Sequence, residues 1–263
     1  TNKLGNKLKE ISEYWTVGTL YRIFVPEVMP LIEKVIYLDC DIIVNLDIKE
    51  LWDIDLDGKS FAGVLDIGVS RSWPLSFRTV ELKLLGCDTK SYINAGVTVM
   101  NLNKIRERET FSDIAIDWLL GHAHFPVYPD QDAINSIFRD DIKFIAAKFN
   151  MYDLKAHMPD CIIHCTSLDK PWRSCAGYDS DRLYWKMFLR SAWGEGYTAD
   201  DIIYKIVPMV RSSRFFHRRV KDCIKLFLSR TQGYIHERQP FSIIFLIIKD
   251  FFYRLKYKRE INR

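Results

Sequence analysis

Three side chains in this sequence have the types needed to share one metal ion, and a fourth could meet an anion beside it. Asp39 and Asp41 flank Cys40 at the end of the apolar run Lys34-Val35-Ile36-Tyr37-Leu38, and Ile42-Ile43-Val44 follows at once. A continuous apolar run with β-branched residues reads as a strand buried on both faces, as in a parallel sheet. Positions i and i+2 of an extended chain share a side, so the two carboxylates are expected to converge on one hard cation where the strand ends. Unpaired carboxylates are costly in a buried strand, and a bound metal would explain them. From the tripeptide alone, the alternative is a strand end whose aspartates cap the next turn.

A downstream segment favours the metal. His164 follows the short apolar stretch Cys161-Ile162-Ile163 and precedes Lys170-Pro171-Trp172. Imidazole and carboxylate together suit Mn²⁺, with Mg²⁺ as an alternative. Pro171 biases Lys170 towards extended geometry, and the Trp172 ring can anchor the loop. A lysine close to a metal suits a phosphate, so the combination points to a nucleotide diphosphate. Cys161 and Cys165 flank His164, but the spacing of a four-ligand zinc site is absent, and small buried thiols are the simpler reading.

The elements that must position these groups alternate along the chain. Helix is expected over 7–25, strand over 34–44, short helix over 48–52 and strand over 60–66. Helix at 76–86, strand at 93–101 and helices at 110–121 and 131–138 follow, with strands at 142–146 and 161–164. Such alternation predicts a three-layer α/β domain with a mostly parallel sheet flanked by helices. Ligands of open sheets gather beyond the carboxyl ends of strands, where Asp39, Asp41, Asp66 and His164 would lie. Trp15, Trp52, Trp73 and Trp118 read as packing, with Trp73 in a pocket loop.

Composition agrees with an enzyme core. The chain has 263 residues, 48% of them hydrophobic, which excludes wholesale disorder. Six cysteines show no paired framework, so a reducing cytosol is expected. The net charge of +4 conceals a division: residues 208–263 carry a balance of +10 and the remainder −6. Within that tail, Phe216, Val220, Cys223, Ile224 and Phe227 follow helical spacing, opposite Arg214, Arg218, Lys221 and Lys225. The run Ile243 to Ile248 ends at Lys249 and Asp250, short of the roughly 20 residues that span a bilayer. The tail is therefore expected to lie on an anionic membrane surface, the alternative being a basic helix pair packed on the catalytic domain. Nucleic acid is not an expected partner, because the core carries no basic excess.

Several ordered pieces carry a resemblance: Tyr37-Leu38-Asp39-Cys40-Asp41, Asn94-Ala95-Gly96-Val97, Asp130-Gln131-Asp132, and His164 with Lys170-Pro171-Trp172. Arg22, in the helix before the metal strand, also fits. Over about residues 10–190 the chain resembles the retaining, metal-dependent glycosyltransferases of family 8, with the GT-A fold. These include lipopolysaccharide galactosyl- and glucosyltransferases and glycogenin.

The resemblance implies Asp39, Asp41 and His164 as ligands of Mn²⁺. It implies Arg22, Asp39, Asp66, Asn94, Ala95, Gly96, Asp130, Gln131 and Lys170 as donor- or acceptor-binding residues, with Asp66 towards the acceptor. Asp130 would hydrogen-bond sugar hydroxyls and Gln131 would lie near the anomeric carbon, the pair being the catalytic candidates. Without the resemblance, Asn94 to Gly96 could start a strand with a bulge at Gly96, and Asp130 to Asp132 could be a helix cap and first turn.

The implied reaction moves galactose or glucose from a UDP-sugar to a glycan or lipid-linked glycan acceptor of a surface polysaccharide, with retention, at the inner face of the cytoplasmic membrane. Ser167 departs from the family, which usually has glycine three residues after the histidine. The early strand-helix-strand unit that holds uracil and ribose is not found before Lys34, so the chain is expected to be a fragment or a truncated product. Residues 1–200 are expected to form the catalytic domain and 201–263 the basic tail. Rival readings are an inactive remnant that binds metal, glycan or membrane, and a self-glycosylating primer of the glycogenin type using Tyr234, Tyr253 or Tyr257.

Overall fold

The computed structural model of the protein describes residues 17–71, 77–108, 110–122, 128–152, 160–166, 170–172 and 179–198. The basic tail, Trp15, Trp73, Ser167 and the tail tyrosines lie outside the described residues. Among the described residues, no helix is long and apolar enough to cross a membrane.

Strands β1 (Lys34–Leu38), β2 (Ile42–Asn45), β3 (Phe61–Leu65), β4 (Ile93–Asn101), β5 (Ile142–Phe144), β6 (Met151–Tyr152) and β7 (Cys161–His164) form two sheets. The larger has the order β1-β4-β3-β5 and the smaller the order β2-β7-β6. The expected mostly parallel sheet is corrected to a mixed one. β4 runs antiparallel to both β1 and β3, and β2 antiparallel to β7, whereas β3–β5 and β6–β7 are parallel. Full burial suggested parallel strands, yet it only requires that both faces be covered. That property belongs to the central β4, buried from Ile93 to Met100.

The expected single strand over 34–44 is also corrected. The chain breaks at Asp39 to Asp41, leaving β1 in one sheet and β2 in the other, and β1 is only half-buried. The two carboxylates therefore sit in the crossing between sheets, not on one face of an extended strand.

The alternative reading of Asn94 to Gly96, a strand with a bulge, meets an irregular β3–β4 ladder there. Between the pairs Gly63↔Thr98 and Leu65↔Ile93 the β3–β4 register slips, so a single residue of β3 spans Asn94 to Val97. The slip is of three residues, and an odd slip exchanges the faces of a strand. Accordingly Ile93 and Ala95 join one core cluster, whereas Val97 and Val99 join another. The first cluster packs β4 against the 3₁₀ turn Val17–Phe24 and the helices Leu102–Arg106, Phe111–Gly121 and Pro129–Ile137. Phe61, Phe111 and Phe138 meet edge-on there, with centroids 4.8 to 6.1 Å apart. The second cluster fills the space between the sheets with Ala62, Val64, Phe149 and Ile162. Burying such a side chain stabilises the fold by about 1.5–3 kcal/mol, which makes β4 a firm platform for the polar residues at its bulge.

Candidate functional site

The crossing from β1 to β2 assembles the site. Asp39 N–H donates to Gly96 O at 2.8 Å, extending the β1–β4 ladder by one residue. Ile42 pairs with His164, and Cys165 N–H donates to Asp41 O at 3.0 Å. The first carboxylate is thus delivered beside the β4 bulge and the second beside the end of β7. Ligand atoms of Asp39, Asp41 and His164 all lie within 4.8 Å of one another. His164 Nε2 stands 3.3 Å from Asp41 Oδ1 and 3.9 Å from Asp39 Oδ2. Among the described residues this is the cluster of acidic, histidine and cysteine side chains that could hold a metal. Cys161 and Cys165 instead join Ile43 and Ile163 in an apolar cluster.

Gly96 makes this approach feasible. A Cβ built there would lie 2.1 Å from His164 Cε1, 2.7 Å from His164 Nδ1 and 2.9 Å from Asp39 Oδ2. The bare backbone is the wall on which the imidazole rests.

Each carboxylate has a cationic partner. Arg22, 5% exposed, donates to Asp39 Oδ1 at 2.6 Å, pairs through Nε with Asp130 Oδ2 at 2.6 Å, and donates to Ala95 O. Its guanidinium also lies over the Tyr37 ring, 4.4 Å from the centroid. Burial opposes the Arg22 charge, but Asp130 and Asp39 outweigh it and raise its pKa. Burial raises the Asp130 pKa, with Arg22 opposing, and pushes the Tyr37 hydroxyl up to about 12, again against Arg22. Lys170 donates to Asp41 Oδ2 at 2.6 Å and to Cys165 O. Burial disfavours the Asp41 charge, yet His164 and Lys170 overcome it and hold the carboxyl down at about 2. Pro171 is buried and accepts from Trp185 Nε1 at 3.0 Å, while Trp172 meets Tyr184 at 5.2 Å. Pro171 and Trp172 are thus held against helix Asp179–Arg190, the Trp172 ring half-buried.

Amides complete the site. Gln131 accepts from Ala95 N–H at 2.9 Å and donates to Asp66 Oδ2 at 3.1 Å. Asn94 accepts from Gly96 N–H at 2.9 Å and donates to Asp66 Oδ2 at 3.2 Å. Asp66 also caps helix Ile67–Ser70 by accepting from Val69 N–H at 3.0 Å. Its buried carboxylate is aimed at the two amides. Asn150 donates to Asn94 Oδ1 at 2.9 Å and faces His164 Nδ1 through its own Oδ1 at 3.0 Å. Contacts thus run in a ring from Arg22 through Ala95, Gln131, Asp66, Asn94, Asn150 and His164 to Asp39 and back. The structure brings together every site residue expected from the sequence.

Two residues escaped the sequence reading. Asn150 lies in Lys148-Phe149-Asn150-Met151 with no partner at a telling spacing. Tyr152 borders Asp66 and Asn94, and burial first, then the Asp66 charge, raises its pKa. Asp132, adjacent to the catalytic candidates, has a different task. It pairs with buried Arg78 and accepts from Tyr92 Oη and Tyr128 N–H, which locks the start of helix Pro129–Ile137 to helix Phe77–Leu84.

The sequence pattern of glycosyl transferase family 8 matches residues 2–176. The chain is 26% identical over 198 residues to lipopolysaccharide 1,2-glucosyltransferase of Escherichia coli K12, covering 69% of this chain and 57% of that protein. It is 26% identical over 193 residues to lipopolysaccharide 1,3-galactosyltransferase of Salmonella typhimurium, covering 68% of this chain and 56% of that one. The chain thus spans little more than half the length of these curated relatives. Among solved structures, galactosyltransferase LgtC in complex with donor and acceptor sugar analogs superposes with a TM-score of 0.56 at 25% identity, over 65% of this chain and 66% of that one. The bifunctional glycosyltransferase WbbM shares the fold, with a TM-score of 0.55 at 21% identity, over 69% of this chain and 37% of that one. The chain belongs to glycosyl transferase family 8, with an α/β fold of the GT-A type.

Proposed function

We propose that the protein transfers a hexose, galactose or glucose, from a UDP-sugar to a glycan acceptor of lipopolysaccharide or another surface polysaccharide, with Mn²⁺ dependence and retention of configuration. The observation that carries this reading is the ring of contacts, which joins an Asp-Asp-His cluster to a group of amides and carboxylates suited to a sugar. Two carboxylate oxygens and one imidazole nitrogen form a donor set that fits Mn²⁺, with Mg²⁺ second, and the Gly96 backbone leaves room beside it. When bound, the ion supplies Lewis-acid stabilisation of the diphosphate leaving group.

The residues do the rest by position. Lys170 adds a positive charge at the departing phosphate. Arg22 occupies Asp39 Oδ1 and thereby leaves Oδ2 facing His164. Asn94, Asp130 and the Ala95-Gly96 backbone border the donor sugar, and Asp66 aligns the Asn94 and Gln131 amides beside it. Both ends of the Gln131 amide are engaged, and a neutral amide is a weak nucleophile. That supports front-face attack by the acceptor hydroxyl, with the leaving phosphate taking its proton, over a covalent intermediate.

The test is UDP release by the full chain from a panel of UDP-sugars. Release is expected only with a divalent ion and is expected to vanish in Asp41→Ala, whose fold should persist. Undiminished release in metal-free buffer would overturn the assignment.

Residues 208–263 form a second region in this reading, placing the enzyme on the anionic inner face of the cytoplasmic membrane where a lipid-linked acceptor is presented. The +10 balance of the tail supports it, each basic residue near such a surface contributing about 1 kcal/mol. Sedimentation with anionic vesicles checks this, and equal binding by a tail-deleted chain would refute it.

A further inference from the structure

The hydrogen bonds around Asn94 fix more than its own orientation. A backbone N–H can only donate, so the Asn94 atom that receives Gly96 N–H is the carbonyl oxygen, and its amide nitrogen faces Asp66. Asp66 agrees independently, since an ionised carboxylate can only accept. The Asn150 atom facing Asn94 Oδ1 must then be the amide nitrogen, which leaves Asn150 Oδ1 towards His164 Nδ1 at 3.0 Å. An oxygen acceptor there requires the proton on Nδ1. In the neutral ring this leaves the Nε2 lone pair towards Asp39 and Asp41, and only the doubly protonated ring also donates from Nε2 to Asp41.

Neighbouring groups leave the ring little choice. Asn150 is 2% exposed and His164 5% exposed. The Gly96 backbone closes one side of the imidazole at a distance no Cβ could share, and Tyr152 meets its ring edge-on at 6.1 Å.

We propose that Asn150 is a positioning residue that sets the His164 tautomer for metal binding and ties it to the orientation of Asn94 on the sugar side. This rests on the reading of Asp39, Asp41 and His164 as metal ligands. Outer partners that hold a ligating histidine typically change metal affinity by about 10- to 100-fold when removed. The connection also gives the metal end and the sugar end of the site a shared hydrogen-bond partner. Misaligning Asn150 disturbs both, although it touches neither the ion nor the sugar.

The experiment uses the full chain with isotope-labelled histidine. His164 is identified among the six histidines by the loss of its signals in His164→Gln. In the metal-free wild type, the nitrogen spectrum is expected to place a slowly exchanging proton on Nδ1. Asn150→Leu keeps a similar shape without an acceptor, and it should lose that protected proton and bind Mn²⁺ about 10- to 100-fold more weakly. Asn150→Asp keeps an acceptor oxygen and should retain the Nδ1 proton, binding Mn²⁺ more tightly than the leucine variant. A wild-type proton on Nε2 alone would overturn the proposal even if the leucine variant fails to fold, as would equal Mn²⁺ affinity in wild type and Asn150→Leu. A wild type that binds no Mn²⁺ overturns the metal reading instead, and the spectrum then decides by itself whether Asn150 holds the ring.

Discussion

Gly96→Ala is the sharpest probe of how backbone geometry creates this site. The added methyl would sit 2.1 Å from His164 Cε1, whereas carbon atoms rest about 3.5–4.0 Å apart. Relief therefore needs a relative movement of about 1.4 Å, and the structure offers no cheap route. His164 is held by Asn150 and by β7–β2 pairing, Asp39 by Arg22, and Gly96 O accepts Asp39 N–H. Overpacking of this kind costs about 1–3 kcal/mol of stability. A misplacement of about 1 Å at reacting groups can cost about 100-fold in rate.

Gly96→Ala is thus expected to fold with a modestly lower thermal midpoint, and to lose at least tenfold in Mn²⁺ affinity and about 100-fold in donor turnover. Gly63→Ala is the control, because its methyl would press mainly on the tip of the Ile93 side chain, Cδ1 at 2.7 Å. It should lower stability and spare the metal. Calorimetric titration with Mn²⁺ and metal-free thermal unfolding separate the two. Wild-type Mn²⁺ affinity in Gly96→Ala would refute the reasoning, and so would an equal loss of affinity in Gly63→Ala.

Two further outcomes test the scaffold. Asp132→Asn weakens the neutralisation of buried Arg78 and should lower stability by about 3 kcal/mol, read as a shift of the urea midpoint with unchanged slope; an unmoved midpoint would exclude the role given to this pair. Cys40 is exposed whereas Cys87, Cys161 and Cys165 are buried, and burial, followed by the Asp132 charge, pushes Cys87 up to about 12. Since the thiolate is the reactive form, alkylation near about pH 8 should mark Cys40 and leave Cys87 untouched until the chain unfolds, as peptide mass mapping would show; equal labelling of the two would contradict the burial.

The sequence pointed to Asp39, Asp41 and His164 as a candidate metal site because carboxylate and imidazole are chemically conspicuous, and each stood at the end of an apolar run. It misjudged how they meet. A break between two sheets at Asp39 to Asp41 leaves the same apolar signature as one long strand, since both halves are lined with aliphatic residues. Strand direction was illegible for a related reason: the burial of β4 records that both faces are covered, not which way its neighbours run. Asn150 carried no signal because a neutral amide gains meaning only from partners far away in sequence, in this case Asn94 and His164. The irregular ladder across Asn94 to Val97, by contrast, was among the readings the sequence allowed, because a glycine inside a strand often marks a bulge.

A closed circuit of contacts also bears on heredity. Along an open chain of hydrogen bonds, the end member can be exchanged at small cost, and change can proceed inward step by step. From Arg22 through the Ala95 backbone, Gln131, Asp66, Asn94 and Asn150 to His164 the links are hydrogen bonds, and a 3.9 Å contact from His164 to Asp39, itself paired with Arg22, closes the circuit. Contacting residues are expected to deviate from additivity by about 0.5–3 kcal/mol, so a first substitution would forfeit much of the arrangement and a second would cost little more. Under the proposed transfer, a change of sugar preference is therefore expected to come from residues around the circuit rather than from its members.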